Sequence, residues 1–244
     1  MATIVLFTDF GARGPYTGQM TAAVHAAAPG VPVVDLLADA PAFDPQASAY
    51  LLAAYARPFP ANTIFLAVVD PGVGSSRLPC VVRADDHWFV GPGNGLFEVV
   101  MRRAARARCW RIDWRPQQLS ATFHGRDLFA PVAARLALGE APPGSVLAEE
   151  IIRYPHWPDD LARIIYIDSY GNAVSGLRAD RVAAAARVRI GSLSIAPART
   201  FSDVPAGQPF WYANADGLLE IAVNRGRAAG TPGITLGAMV SVTG

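Results

Sequence analysis

Cysteine is scarce: Cys80 and Cys109 are the only two in 244 residues. That excludes a disulfide-scaffolded fold and reads as two buried thiols. An excess of charge is missing too, with 21 basic against 20 acidic residues and a net charge of +1. Nucleic-acid binders concentrate positive field, so nothing here calls for a polyanionic partner. No apolar run is long enough to span a bilayer without interruption. The opening MATIVLFTDFG has neither the basic flank nor the long apolar core of a signal peptide. Internal repeats and low-complexity tails are also lacking. The expectation is a cytoplasmic protein without nucleic-acid or membrane partners. What is present is a globular composition, 52% hydrophobic and 17% charged, far from the signature of disorder. The length suffices for one large domain or two modest ones.

Apolar periodicity changes along the chain. Residues 3–8, 31–36 and 62–69 read as short buried strands. Between them, residues 18–28 carry Met20, Ala23, Val24 and Ala27 at helical spacing. Asp44 followed by Pro45 offers an N-cap and a pre-set first helical position, predicting a helix through Ala56. Residues 80–83 and 88–90 flank Asp85 and Asp86 as a hairpin. Residues 96–107 and 128–138 are expected to be helical. This alternation predicts an α/β N-terminal domain with a largely parallel sheet over residues 1–155. Beyond a Pro-rich stretch, strand candidates fall at 163–168, 187–190, 193–196, 210–213, 218–223 and 235–242, with one short helix at 182–186. Turn residues separate them. A small all-β barrel domain is therefore expected over residues 160–244.

Three segments of the first domain carry chemistry. Thr8-Asp9-Phe10-Gly11 ends the first strand, where ligands of open α/β sheets sit, so Asp9 reads equally as a ligand contact or a turn cap. Asp70 ends a buried strand and opens the Gly-rich loop Asp70-Pro71-Gly72-Val73-Gly74-Ser75-Ser76-Arg77. That loop lacks the Gly-Lys-Ser/Thr ending of a P-loop, which argues against triphosphate hydrolysis. His124, in Thr122-Phe123-His124-Gly125-Arg126-Asp127, precedes a helix start, where exposed N–H groups favour anions such as hydroxide. Taken singly, it reads as an ordinary polar residue rather than a catalyst. His25, His87 and His156 read as structural, and the basic run at 101–108 as a solvated helix face.

Six segments in order, TDFG, VVDPGVGSSR, GPGNGL, FHGRDLFAPVAA, IDSYGN and NADGLLEIAVNRG, resemble the motifs of the SAM hydroxide adenosyltransferase family, relatives of the SAM-dependent fluorinase and chlorinase. The resemblance runs from Ile4 to about Val240. It implies an α/β domain, a C-terminal barrel, and a homotrimer with active sites at subunit interfaces. It implies hydrolysis of S-adenosyl-L-methionine (SAM) to adenosine and methionine, with SAM as substrate and neither cofactor nor metal. By resemblance Asp70, Arg77 and His124 are the water-activating triad, and Asp9 grips the ribose. Asp168 and Asn172 hold the methionine end. The stretch from Asn214 through Ala215 and Glu220 to Val223 reads the adenine, partly through its backbone. Phe43, Phe123, Tyr170 and Phe201 are the aromatic groups that flank the nucleoside. The chain departs from its relatives at Gly14, usually acidic, at Ala215, usually Ser, and at Gly93, often polar.

The chemistry fits these residue types. The sulfonium already provides a neutral leaving group, so activating water, with a pKa of about 15.7 in bulk, is the hard part. A carboxylate, a guanidinium and an imidazole supply a base, a positive field and orientation, with the proton acceptor left open between Asp70 and His124. Halide transfer is the nearest alternative, and an ionised Asp70 repels a halide. A metal centre built from Asp9, Asp70, His124 and Asp127 lacks any paired-His spacing. A non-catalytic SAM or adenosine sensor has no need of the triad.

Overall fold

The computed structural model describes residues 2–243. The chain divides into two compact units, Met1–Trp157 and Pro158–Gly244. In the first, β1 (Ile4–Thr8), α1 (Tyr16–Ala27), β2 (Val33–Leu37), α2 (Pro45–Tyr55) and β3 (Ile64–Val68) are followed by β4 (Pro79–Ala84), β5 (His87–Pro92) and α3 (Glu98–Arg103). Then come β6 (Ala107–Ile112), a π-helical turn Gly125–Phe129 running into α4 (Ala130–Ala137), and β7 (Gly144–Leu147).

The seven strands form one sheet in the order β2-β1-β3-β5-β4-β6-β7. The sheet is mixed. Strands β2, β1, β3 and β5 are parallel, whereas β4, β6 and β7 extend it antiparallel from β5. The expectation of a largely parallel sheet therefore holds for its core and not for its flank. The central strands are buried along their whole length, as a sheet covered on both faces demands. Because side chains alternate, Ile4, Leu6, Ile64 and Leu66 pack with Met20 and Val24 of α1 and with Val132 and Leu136 of α4. The intervening Phe65 stacks on Phe89 at 5.1 Å, and Phe59 and Phe97 extend that cluster.

Asp44 caps α2 as expected, accepting from the Ala47 N–H at 2.9 Å with Pro45 next in line. The helix expected over residues 96–107 stops at Arg103. Ala104 turns extended, and the Asp85 carboxylate accepts the N–H groups of Ala105 and Arg106, feeding the chain into β6. The run at 101–108 thus leaves α3 at Arg103, turns, and enters β6 at Ala107, and is not one helix face. Strand β7 forms inside the Pro-rich stretch that carried no strand signal. Cys80 and Cys109 are both free and buried, and burial pushes both thiols up, Cys109 to about 12.

The second unit contains β8 (Leu161–Ile167), β9 (Ala173–Arg178), β10 (Arg187–Ile190), β11 (Leu193–Ile195), β12 (Pro209–Ala213), β13 (Leu218–Val223) and β14 (Ser241–Thr243). These make two antiparallel sheets, β12-β13-β9-β8 and β11-β10-β14. No closed barrel is formed among the described residues. Ile164, Val188, Trp211, Leu219 and Ile221 share one core. Strand β9 went unread because Gly176 and Ser175 interrupt its apolar pattern. Gly176 faces Leu161 across the ladder, and a Cβ there would lie 2.6 Å from the Leu161 Cβ. The Ser175 hydroxyl donates to the Leu219 carbonyl. The helix expected at 182–186 is absent; a 3-10 turn at Ala179–Arg181 precedes an irregular segment. Of 235–242, only the end joins a strand.

Candidate active site

The site in the first unit is assembled at the C-terminal ends of β1 and β3. Asp9 follows β1, Asp70 lies two residues beyond β3, and His124 is the residue before the π-helical turn. The Asp70–Arg77 loop reaches His124 because Gly74, with φ +79°, has no side chain: a Cβ there would sit 2.8 Å from the Ala121 carbonyl oxygen. Arg77 is the centre of the group. Its Nε donates to Asp70 Oδ1 at 2.8 Å. Its Nη2 donates to Asp70 Oδ2 and, at 2.9 Å, meets His124 Nδ1. The Arg77 and Asp70 side chains are only 10% and 5% exposed, so this pair is largely desolvated. The guanidinium also lies 5.2 Å over the Phe129 ring.

A guanidinium has no acceptor, so the Arg77 contact takes the lone pair of Nδ1. The neutral imidazole of His124 therefore carries its proton on Nε2 and offers an N–H donor. Burial, and then the Arg77 charge, hold the His124 pKa below its usual value, with Asp70 opposing in part. Burial raises the Asp9 carboxyl and the Asp70 charge adds to the rise, while the Phe43 N–H, donating at 3.1 Å, works against it. Phe43 sits at φ +58° and is 77% exposed.

Asp9, Phe43, Asp70, Phe123 and His124 line one cavity of about 650 Å³, a volume suited to a small-molecule ligand. Arg77 stands behind its wall, bonded to two of its lining residues. The sequence reading missed Phe10 and Tyr16, whose rings meet Phe123 edge-on at 5.7 and 5.4 Å. It also missed Arg126, which lies 5.0 Å over Phe123 and is paired with Asp127. Of the charged residues that line the cavity, Asp70 is paired with Arg77 and Arg126 with Asp127, while Asp9 faces it as a carboxyl held by the Phe43 N–H. Phe10 was in view beside Asp9, but nothing local marks it as cavity-facing. Among the described residues no group of three His, Cys, Asp or Glu side chains is placed to hold a metal ion, and no helix is long and apolar enough to cross a membrane.

The candidates in the second unit form a cluster of their own. The Asn172 backbone N–H and its Nδ2 donate to the two oxygens of Asp168, at 2.8 and 3.0 Å. Asn214 Nδ2 donates to Glu220 Oε2 at 2.9 Å, and the Tyr212 hydroxyl donates to Glu220 Oε1. Burial raises the Glu220 carboxyl, against the hydrogen bonds it accepts. Phe201 packs on Phe210 and Tyr212 at 5.1 and 5.6 Å. Tyr170 is 77% exposed on the turn between β8 and β9. Ala215 is exposed in the turn between β12 and β13, where Asn214 Oδ1 accepts the N–H groups of Asp216 and Leu218. Val223 belongs to the unit's apolar core, so only its backbone is available to a ligand. Tyr212 and Arg227, which donates to the Ser169 carbonyl at 3.0 Å, were not singled out from sequence.

A two-unit α/β protein with a desolvated Asp-Arg-His group beside an aromatic-lined cavity has counterparts among known proteins. Residues 4–146 match the SAM hydroxide adenosyltransferase N-terminal domain, and residues 162–241 its C-terminal domain. The chain belongs to the SAM hydroxide adenosyltransferase family. It is 38% identical to the (R)-S-adenosyl-L-methionine hydrolase of Thermus thermophilus, over 97% of this chain and 98% of that protein. It is 34% identical to the Salinispora arenicola protein of the same description, over 97% and 95%. Among solved structures, an uncharacterized conserved protein from Thermotoga maritima superposes with a TM-score of 0.88 at 30% identity, covering 99% of this chain and all of that one.

Proposed function

We propose that this protein hydrolyses S-adenosyl-L-methionine to adenosine and L-methionine, with Asp70, Arg77 and His124 activating the attacking water. The observation that carries the reading is the Asp70–Arg77–His124 group bordering a cavity of small-molecule size. Water attacks C5′ as the C5′–S bond breaks, and the bonding pair returns to sulfur to give the thioether of methionine. The proton of the water passes to Asp70, whose oxygens each keep a lone pair beyond the one Arg77 occupies. Arg77 stabilises the developing hydroxide by its charge, and the His124 Nε2–H orients it. No redox or group-carrying partner is required for this balance, so SAM enters as substrate and no cofactor is proposed. A halide has no use for a carboxylate at position 70, and a sensor has no use for the buried triad.

In this reading Asp9 takes the ribose hydroxyls, Phe43 and Phe123 flank the nucleoside with Tyr170 and Phe201, and Asp168 with Asn172 takes the methionine end. Asn214, Ala215, Glu220 and Val223 form the adenine-reading hairpin. Incubating the protein with SAM in oxygen-18 water should give adenosine labelled at the 5′ oxygen and unlabelled methionine, read by mass spectrometry. Label on methionine, or 5′-chloroadenosine as the main product in chloride buffer, would refute the proposal. Family membership further supports a cytoplasmic homotrimer with active sites at subunit interfaces. Light scattering should then report three copies of the 25.8 kDa chain; a fully active monomer would be incompatible with shared sites.

A further inference from the structure

The segment Gly91-Pro92-Gly93-Asn94-Gly95-Leu96 takes no part in the chemistry described above, yet it touches the catalytic loop at both ends. Strand β3 ends at Val68, so the Val69 carbonyl lies beyond the ladder. The side chain of Asn94 takes it instead, Nδ2 donating to the Val69 oxygen at 2.9 Å. One residue earlier, the Gly93 N–H donates to the Leu78 carbonyl at 2.7 Å. Val69 is the residue before Asp70, and Leu78 is the residue after Arg77. Two consecutive residues thus hold the two ends of the loop that carries two members of the triad. The approach is close because Gly91 has no side chain: a Cβ there would lie 2.1 Å from the Ala67 carbonyl oxygen.

We infer that the Gly93–Asn94 step is a clamp that sets the separation of Asp70 and Arg77, with Asn94 a positioning residue for water activation. The inference rests on the hydrolase reading given above. At position 93 the donor is a backbone N–H, which any residue other than proline supplies, although a Cβ there would lie 3.0 Å from the Leu78 carbonyl oxygen and from Ile152 Cγ2. At position 94 the donor is a side-chain amide, and that half of the clamp depends on residue identity. The other end of the same amide accepts the Leu96 N–H at 3.3 Å and shapes the turn into α3. The two bonds are chemically separable: alanine loses both, whereas aspartate keeps the acceptor for Leu96 and loses the donor to Val69.

The test uses the full-length protein and compares Asn94→Ala, Asn94→Asp and Asp70→Asn for kcat and KM with SAM, adenosine affinity and thermal unfolding. Displacements well under a bond length at a reacting group are costly, so both Asn94 variants should lose about 10- to 100-fold in kcat. KM for SAM and affinity for adenosine should stay at wild-type values, because Asn94 touches the loop and not the cavity. If alanine fails to fold, the aspartate variant, with its turn intact, still reports the lost donor. Wild-type kcat in Asn94→Asp, or a loss confined to KM or to thermal stability, would overturn the clamp. Asp70→Asn slow beside Asn94→Ala at full rate would overturn the clamp alone. Asp70→Asn at full rate would overturn the assignment of Asp70 to water activation, and the clamp with it.

Discussion

His124→Ala should lower kcat by about 10²–10³-fold, the usual cost of removing one donor aimed at a developing oxyanion, while adenosine binds as before. The pH dependence of the wild-type protein reports the same residue. In the folded protein His124 is held below its ordinary value of 6.5, first by burial and then by Arg77. The neutral ring, which the Arg77 Nη2 donor requires, therefore persists as pH falls from neutral through 6.5. Activity should hold across that range and decline only at more acidic pH, where the ring gains a proton at Nδ1 and repels Arg77. Folding stability follows the same sign. Above 6.5 neither state binds the proton; below it the unfolded chain binds first, so stability is lost as pH falls. Rate measurements from acid to neutral pH, repeated on His124→Gln, test this. A wild-type rate already halved at or above pH 6.5, with the limb gone in the variant, would contradict the assignment, as would normal turnover by His124→Ala.

Much of this site was legible because its residues sit at element ends that the sequence marks. Asp9 and Asp70 each follow a short, largely apolar strand, and His124 precedes a helical start. The α2 cap at Asp44 and the hairpin of β4 and β5 are written in local turn chemistry, which needs no knowledge of the rest of the chain. What escaped was decided by distant contacts. Arg77 and His124 are 47 residues apart, and nothing in either segment says that one guanidinium serves both Asp70 and His124. The Asn94 side chain replaces a ladder partner for Val69, which becomes visible only once β3 is known to stop at Val68. Strand β6 was hidden because Arg102, Arg103, Arg106 and Arg108 suit a helix face as well as a strand, and the choice falls to Asp85 capping the turn between them. Strand β9 was hidden because Gly176, a poor strand residue, is required by the proximity of Leu161. The barrel expected for the second unit came from counting short strands, which does not distinguish one closed sheet from two open ones.

Arg77→Met separates the charge from the packing. Methionine retains apolar contact with Phe129, over which the guanidinium now lies, but leaves Asp70 without its donor in a site where the carboxylate is 5% exposed. Breaking a buried pair by removing one partner costs about 3–5 kcal/mol, because the remaining charge is stranded. Turnover should drop by at least about 10²–10³-fold, since the positive field at the nucleophile and the orientation of both Asp70 and His124 are lost together. The double variant Asp70→Asn/Arg77→Met distinguishes the two losses. It removes the stranded charge and should be more stable than Arg77→Met alone, yet no more active. Denaturant titrations of the wild type, both single variants and the double variant give the coupling energy directly. If Arg77→Met proves as stable as the wild type, or the double variant gains nothing over it, the pair is not the desolvated unit its geometry describes, and Arg77 would have to be given a role outside the triad.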